Sequence, residues 1–126
     1  MTVKILNPEK DFVEIPLIKG GMAKAIIWPG MGAKHGTMHY FVMKPGEENV
    51  HHVHDEAEDM FYIVQGNGVI VDGNTGKEHP FQKGDFVYVS PGTPHAAKSF
   101  GPKDYISVGG PTPPDLSIYK KAGLLK

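Results

Sequence analysis

The stretch that decides the fold is Gly46-Glu47-Glu48-Asn49-Val50-His51-His52-Val53-His54-Asp55-Glu56-Ala57-Glu58-Asp59-Met60-Phe61-Tyr62-Ile63-Val64-Gln65-Gly66. Three of the chain's seven histidines crowd into four positions of it, and four acidic residues follow at once. His52 and His54 are two apart. Alternate residues of a strand share a face, so a strand over residues 50–54 sets both imidazoles side by side and turns His51 the other way. Two adjacent imidazoles followed by a carboxylate make up most of a metal site. The remainder of the chain reads as a scaffold that holds this stretch and supplies one more ligand.

At 126 residues the chain is expected to form a single domain, residues 1–126, with one core. Its 40% hydrophobic and 21% charged residues are those of a globular protein. A net charge of −1 gives no bulk attraction to nucleic acid or to a membrane surface. All thirteen basic residues are Lys. The planar guanidinium that grips phosphate at two points is missing, which argues against phosphosugar and nucleotide-sugar substrates. There is no Cys, so any metal must be held by His and carboxylate. The first ten residues lack the apolar segment of a signal peptide, and the longest apolar run, residues 60–64, is far too short to span a bilayer. A cytoplasmic protein is the expectation.

Sixteen Gly and eleven Pro, spread without a period, punctuate the chain into short segments. Strands are expected at residues 10–18 (an edge, because of Pro16), 23–28, 37–43, 50–54, 59–65, 69–72, 77–82, 86–89, 96–100 and 104–108. Gly20-Gly21 reads as the first turn and Gly73-Asn74-Thr75-Gly76 as a hairpin turn. Only residues 114–125 look helical, with Pro114 at the first helical position, Asp115 in the first turn and Gly123 as the stop. Many short strands with turns between them indicate an all-β sandwich or barrel.

Two motifs then bear on the family. Gly46, His52, His54, Asp59 and Gly66 fall at the spacing G-x5-H-x-H-x4-E-x6-G, with Asp in place of Glu. Gly84, Ser90, Gly92, His95 and Ser99 fall at G-x5-P-x-G-x2-H-x3-N, with Ser in place of Pro and of Asn. In both respects the chain resembles the cupins. The resemblance implies a double-stranded β-helix, or jelly-roll, barrel with a short C-terminal helix here. It also implies one divalent transition metal held by His52, His54, Asp59 and His95. Imidazoles and a carboxylate suit Fe or Mn first, with Zn, Ni, Cu and Co as further candidates. Asp is one methylene shorter than Glu and reaches about 1.5 Å less far. Glu58 is the rival ligand, but alternation puts Asp59, Phe61 and Ile63 on one face and Glu58 on the other.

Around this site, Phe61, Ile63 and Met43 are expected to line an apolar pocket. His39 shares an alternating face with Thr37, Phe41 and Met43 and is the candidate acid or base, with packing as the competing reading. His35 and His79 are expected at the surface, and one of Lys98 and Ser99 in the pocket. Trp28 and Phe12 are expected at the barrel wall or a dimer contact. The tail helix is expected to pack on its own barrel, or else to cover the mouth or contact another subunit. The leading functional reading is a metal-dependent enzyme on a small organic substrate, of dioxygenase type. The alternatives are a non-oxidative isomerase or lyase and a non-catalytic module that binds a small ligand. The unpaired edge of the first strand makes a homodimer the expected assembly.

Overall fold

Strands such as β2 (Met22–Ile27) and β7 (Phe86–Val89) alternate in burial, whereas β5 (Asn67–Asp72) and β8 (His95–Ser99), of the smaller sheet, are buried along most of their length. The computed structural model describes residues 2–15, 22–49 and 52–126. Among these described residues are nine strands: β1 (Val13–Ile15), β2 (Met22–Ile27), β3 (Met38–Met43), β4 (Glu58–Gln65), β5 (Asn67–Asp72), β6 (Glu78–Gln82), β7 (Phe86–Val89), β8 (His95–Ser99) and β9 (Tyr105–Thr112). A single 3-10 turn spans Pro29–Met31, and one helix, α1, spans Leu116–Lys121. The strands form a six-stranded sheet, β1-β2-β3-β9-β4-β7, and a three-stranded sheet, β6-β5-β8. Every pairing is antiparallel. The all-β architecture expected from the turn spacing is the one observed. The turn at Gly20-Gly21, the Pro16 break and the orientation of His51 lie outside the described residues.

Of the strand expected over residues 50–54, the described part, 52–54, is not a regular strand. Among its described residues only His52 pairs, through an isolated bridge to His95. β8 begins at His95, so Val53 and His54 run past the end of the partner strand. Strand β9, in contrast, runs four residues past the expected end, to Thr112, because β4 is long enough to pair it down to Glu58.

Two apolar clusters fill the interior. One joins Met43, Ile63, Ile70, Phe81, Ala97 and Tyr105 between the sheets. The other joins Ile15, Ala23, Ala25, Trp28 and Tyr119 at the end where the tail returns. Phe41 packs against both. Close backbone approach sets one further feature. Gly109 has φ 143° and sits opposite Phe61, and a Cβ there would lie 2.1 Å from the Met60 carbonyl oxygen. Only glycine allows β9 this near to β4.

The tail folds back on its own barrel. Asp115 is the N-cap of α1, one position outside the first turn, and Pro114 precedes it rather than opening the helix. Gly123, at φ 74°, ends it as expected. Its N–H donates to the Lys120 carbonyl and the Leu124 N–H donates to the Tyr119 carbonyl, the paired bonds of a Schellman stop. Tyr119 is fully buried and packs on Trp28 with ring centroids 4.9 Å apart. Among the described residues, no helix is long and apolar enough to cross a membrane.

Candidate metal centre

Four side chains from three places in the chain meet between the sheets. His52 and His95 are locked as a bridge pair: each backbone N–H donates to the other's carbonyl, at 3.0 and 2.9 Å. Two residues further on, the His54 carbonyl accepts from the Gly92 N–H at 2.8 Å. His52 and His54 both turn their Nε2 toward Asp59, so the two imidazoles share a side as expected, without a sheet ladder. Asp59 comes from the six-stranded sheet, on β4 opposite Val89 and Pro111, and is buried. His95 is the first residue of β8 in the other sheet.

Their ligand atoms all lie within 4.8 Å of one another. Asp59 Oδ2 is the common point, 2.9 Å from His95 Nε2, 3.6 Å from His54 Nε2 and 3.8 Å from His52 Nε2. The rival carboxylate, Glu58, faces away and hydrogen-bonds the Tyr88 hydroxyl. Burial alone would raise the Asp59 carboxyl, but the three imidazoles around it hold it well below the usual carboxylate range.

A further layer fixes two of the rings. The Nδ1–H of His95 donates to the Thr93 carbonyl at 2.9 Å, and the Nδ1–H of His54 donates to Asp115 Oδ2 at 2.7 Å. Neither acceptor can donate, so on both rings Nδ1 carries a proton and Nε2 is the atom aimed at Asp59, that of His95 within hydrogen-bond distance of Oδ2. A proton shared with the carboxylate, or a cation in its place, has to bridge Nε2 and Asp59. Nitrogen and carboxylate donors suit a divalent transition metal in that position. On the His54 ring, burial lowers the tendency to charge, yet the carboxylates of Asp59 and Asp115 on its two sides raise its pKa overall. The role of Asp115 was hidden in the sequence, where its one visible signal is that of a helix start.

The four residues open onto a cavity of about 460 Å³. Phe61 lines it, as expected from alternation on β4, together with Phe41, Ile70 and Ala97. Ile63 and Met43 do not. Both are completely buried in the inter-sheet cluster, because alternation selects a face but not a depth, and they lie beyond the cavity wall. Lys98 and Ser99 are also off the wall. Lys98 Nζ lies 3.5 Å from Glu78 Oε2, and Ser99 is buried. His35 and His79 are exposed. Phe12 sits at the surface under the Lys24 ammonium.

His39 lines the cavity, with its Nε2 2.7 Å from the Tyr119 hydroxyl. Burial pushes its pKa down to about 4 and that of Tyr119 up to about 12. The expectation of a histidine poised near neutral pH is therefore corrected: the ring stays neutral because burial disfavours its charged form.

Residues 39–108 match the model of the cupin domain family. The chain is 27% identical over 104 residues to an uncharacterized protein of Methanocaldococcus jannaschii, across 80% of this chain and 81% of that one. An uncharacterized protein with a double-stranded β-helix domain from Klebsiella pneumoniae superposes with a TM-score of 0.72 at 20% identity, over 89% of this chain and 91% of its own. The polyketide cyclase RemF from Streptomyces resistomycificus does so with a TM-score of 0.72 at 20% identity, over 95% and 94%. A predicted oxalate decarboxylase from Thermotoga maritima gives 0.68 at 22% identity, over 86% and 99%. At these identities the structural likeness speaks for the fold alone.

Proposed function

This chain belongs to the cupin family, and we propose that it is a metal-dependent enzyme acting on a small organic molecule. The observation that carries the reading is the convergence of His52, His54, Asp59 and His95 at the wall of a mainly apolar cavity large enough for such a molecule. A divalent transition metal, Fe or Mn first, supplies Lewis acidity and redox chemistry toward O2 when bound. The chain's own residues do the rest. Phe41, Phe61 and Ile70 give an apolar wall that orients a hydrocarbon portion and keeps water out. Neutral His39, whose Nε2 is held by the buried Tyr119 hydroxyl, is a polar group on this wall for a substituent of the substrate.

A dioxygenase-type reaction is the preferred class. An isomerase or lyase needs a positioned base or acid with a pKa near the working pH. His39, the cavity-lining candidate, is pushed down to about 4 by burial, away from such a value. Asp115 is engaged by His54. A homodimer belongs to the same proposal, supported by the exposed Met60, Phe86 and Tyr88 on one face of β4 and β7. Light scattering tests it.

The function is tested by elemental analysis of protein from its native host, followed by O2 uptake with a panel of small aromatic and enol substrates. One metal per chain and substrate-dependent O2 consumption are expected. Turnover without O2 moves the reaction to the non-oxidative class. Full metal retention by His52→Ala after dialysis against chelator overturns the site.

A further inference from the structure

Asp115 does two things at once. Its Oδ2 accepts from His54 Nδ1 at 2.7 Å, and its Oδ1 accepts from the Ser117 backbone N–H at 3.0 Å and from the Ser117 hydroxyl at 2.6 Å. One carboxylate therefore orients a metal-facing imidazole and caps α1. The helix has six residues, too few to persist in water unaided. It stays folded through its anchors: this cap, the buried Tyr119 ring on Trp28, and the hydroxyl bond to His39. Ile118 and Lys121 of the same helix line the cavity.

We propose that Asp115 is a positioning residue that couples the docking of α1, and so the covering of the cavity, to occupation of the metal site. The proposal rests on the metal-binding reading given above. A cation on His54 Nε2 withdraws charge from the ring and makes its Nδ1–H a stronger donor to Asp115. The strengthened bond holds the carboxylate in the orientation that caps α1. Linkage is reciprocal, so a docked helix raises metal affinity by the factor by which metal favours docking. Metal loading and closure of the mouth are then one event.

The test uses the full chain, Zn2+ as the probe and Asp115→Ser as the variant. Serine can still cap Ser117 but cannot also reach His54. Zn2+ affinity is read by competition with a chromophoric chelator, and helix docking by amide exchange of residues 117–122. Zn2+ is expected to slow that exchange in the native protein and not in Asp115→Ser, and the variant is expected to bind Zn2+ at least about tenfold more weakly. A protected, downfield His54 Nδ1–H proton resonance is expected in the native protein and absent from the variant, a signature that simple destabilisation would not produce. If Asp115→Ser does not fold, Asp115→Asn, which keeps the side chain's shape but has one acceptor oxygen to share, is read the same way. Native-like Zn2+ affinity in the variant, or helix exchange indifferent to Zn2+ in the native protein, overturns the coupling and leaves the metal site standing. Failure of the native chain to bind Zn2+ at all overturns the metal reading and the coupling with it.

Discussion

Replacing His39 by Gln should remove a specific acid sensitivity from the stability of the metal-free protein. In the folded chain burial holds the His39 pKa near 4, against an ordinary value of 6.5. The unfolded chain therefore takes up this proton first as pH falls. A state that binds the proton more tightly is favoured by acid, so the folded form loses stability from about pH 6.5 downward, and the loss is complete below about pH 4. At pH 4.5 the unfolded ring is charged and most of the folded rings are not. At 1.36 kcal/mol per pKa unit, discounted for the water that reaches the cavity, the penalty is about 2 kcal/mol relative to pH 7.5. Gln cannot titrate but can still meet the Tyr119 hydroxyl. Urea unfolding of the chelator-treated native protein and of His39→Gln at pH 7.5 and 4.5 measures the difference. The native protein should lose about 2 kcal/mol more than the variant between the two pH values. Contributions from Asp59, His54 and the other titrating groups occur in both proteins and cancel. Equal losses, within about 0.5 kcal/mol, would refute the claim that burial keeps His39 neutral.

Other perturbations reach different parts of the molecule. Tyr119→Phe keeps the ring on Trp28 but leaves His39 Nε2 without its partner, at a cost of about 1–3 kcal/mol by chemical denaturation; Tyr119→Ala should cost at least about 3 kcal/mol, since the whole ring is buried. Gly109→Ala should destabilise by at least about 3 kcal/mol, read as a fall in melting temperature, because its Cβ meets the Met60 carbonyl and its φ disfavours any side chain. Metal added at 100 times its Kd should raise stability by about 2.7 kcal/mol, and this gain should vanish in His52→Ala and after chelator treatment. Asp59→Asn keeps the shape but not the charge, so calorimetry should show weaker metal binding and O2 uptake should fall with it.

The histidines at 52, 54 and 95 were legible because their neighbours carry local information. Glycines at fixed distances mark where the chain turns, and alternation states which side chains share a face. The choice of Asp59 over Glu58 followed from the same alternation. What stayed hidden was non-local or a matter of degree. Asp115 reaches His54 across 61 positions, and a helix-capping signature says nothing about a second acceptor bond made by the same carboxylate. Met43 and Ile63 share the inward face with Phe61, yet close packing decides which of them meets the cavity. The His39 pKa depends on how much water the folded tail excludes, and no local pattern encodes that. Val53 and His54 form no ladder because they run past His95, where the partner strand begins.

The placement of the four site residues has a kinetic consequence. Asp59 belongs to one sheet and His95 to the other, so the site does not exist until the two sheets have closed on each other. An ion that needs all four donors cannot help the chain find that arrangement; it can only hold the finished one. A bound metal should therefore leave the refolding rate nearly unchanged and lower the unfolding rate, as any interaction absent from the transition state does. An ion held there would be a latch on a completed barrel, and its contribution would be the lifetime of the folded molecule.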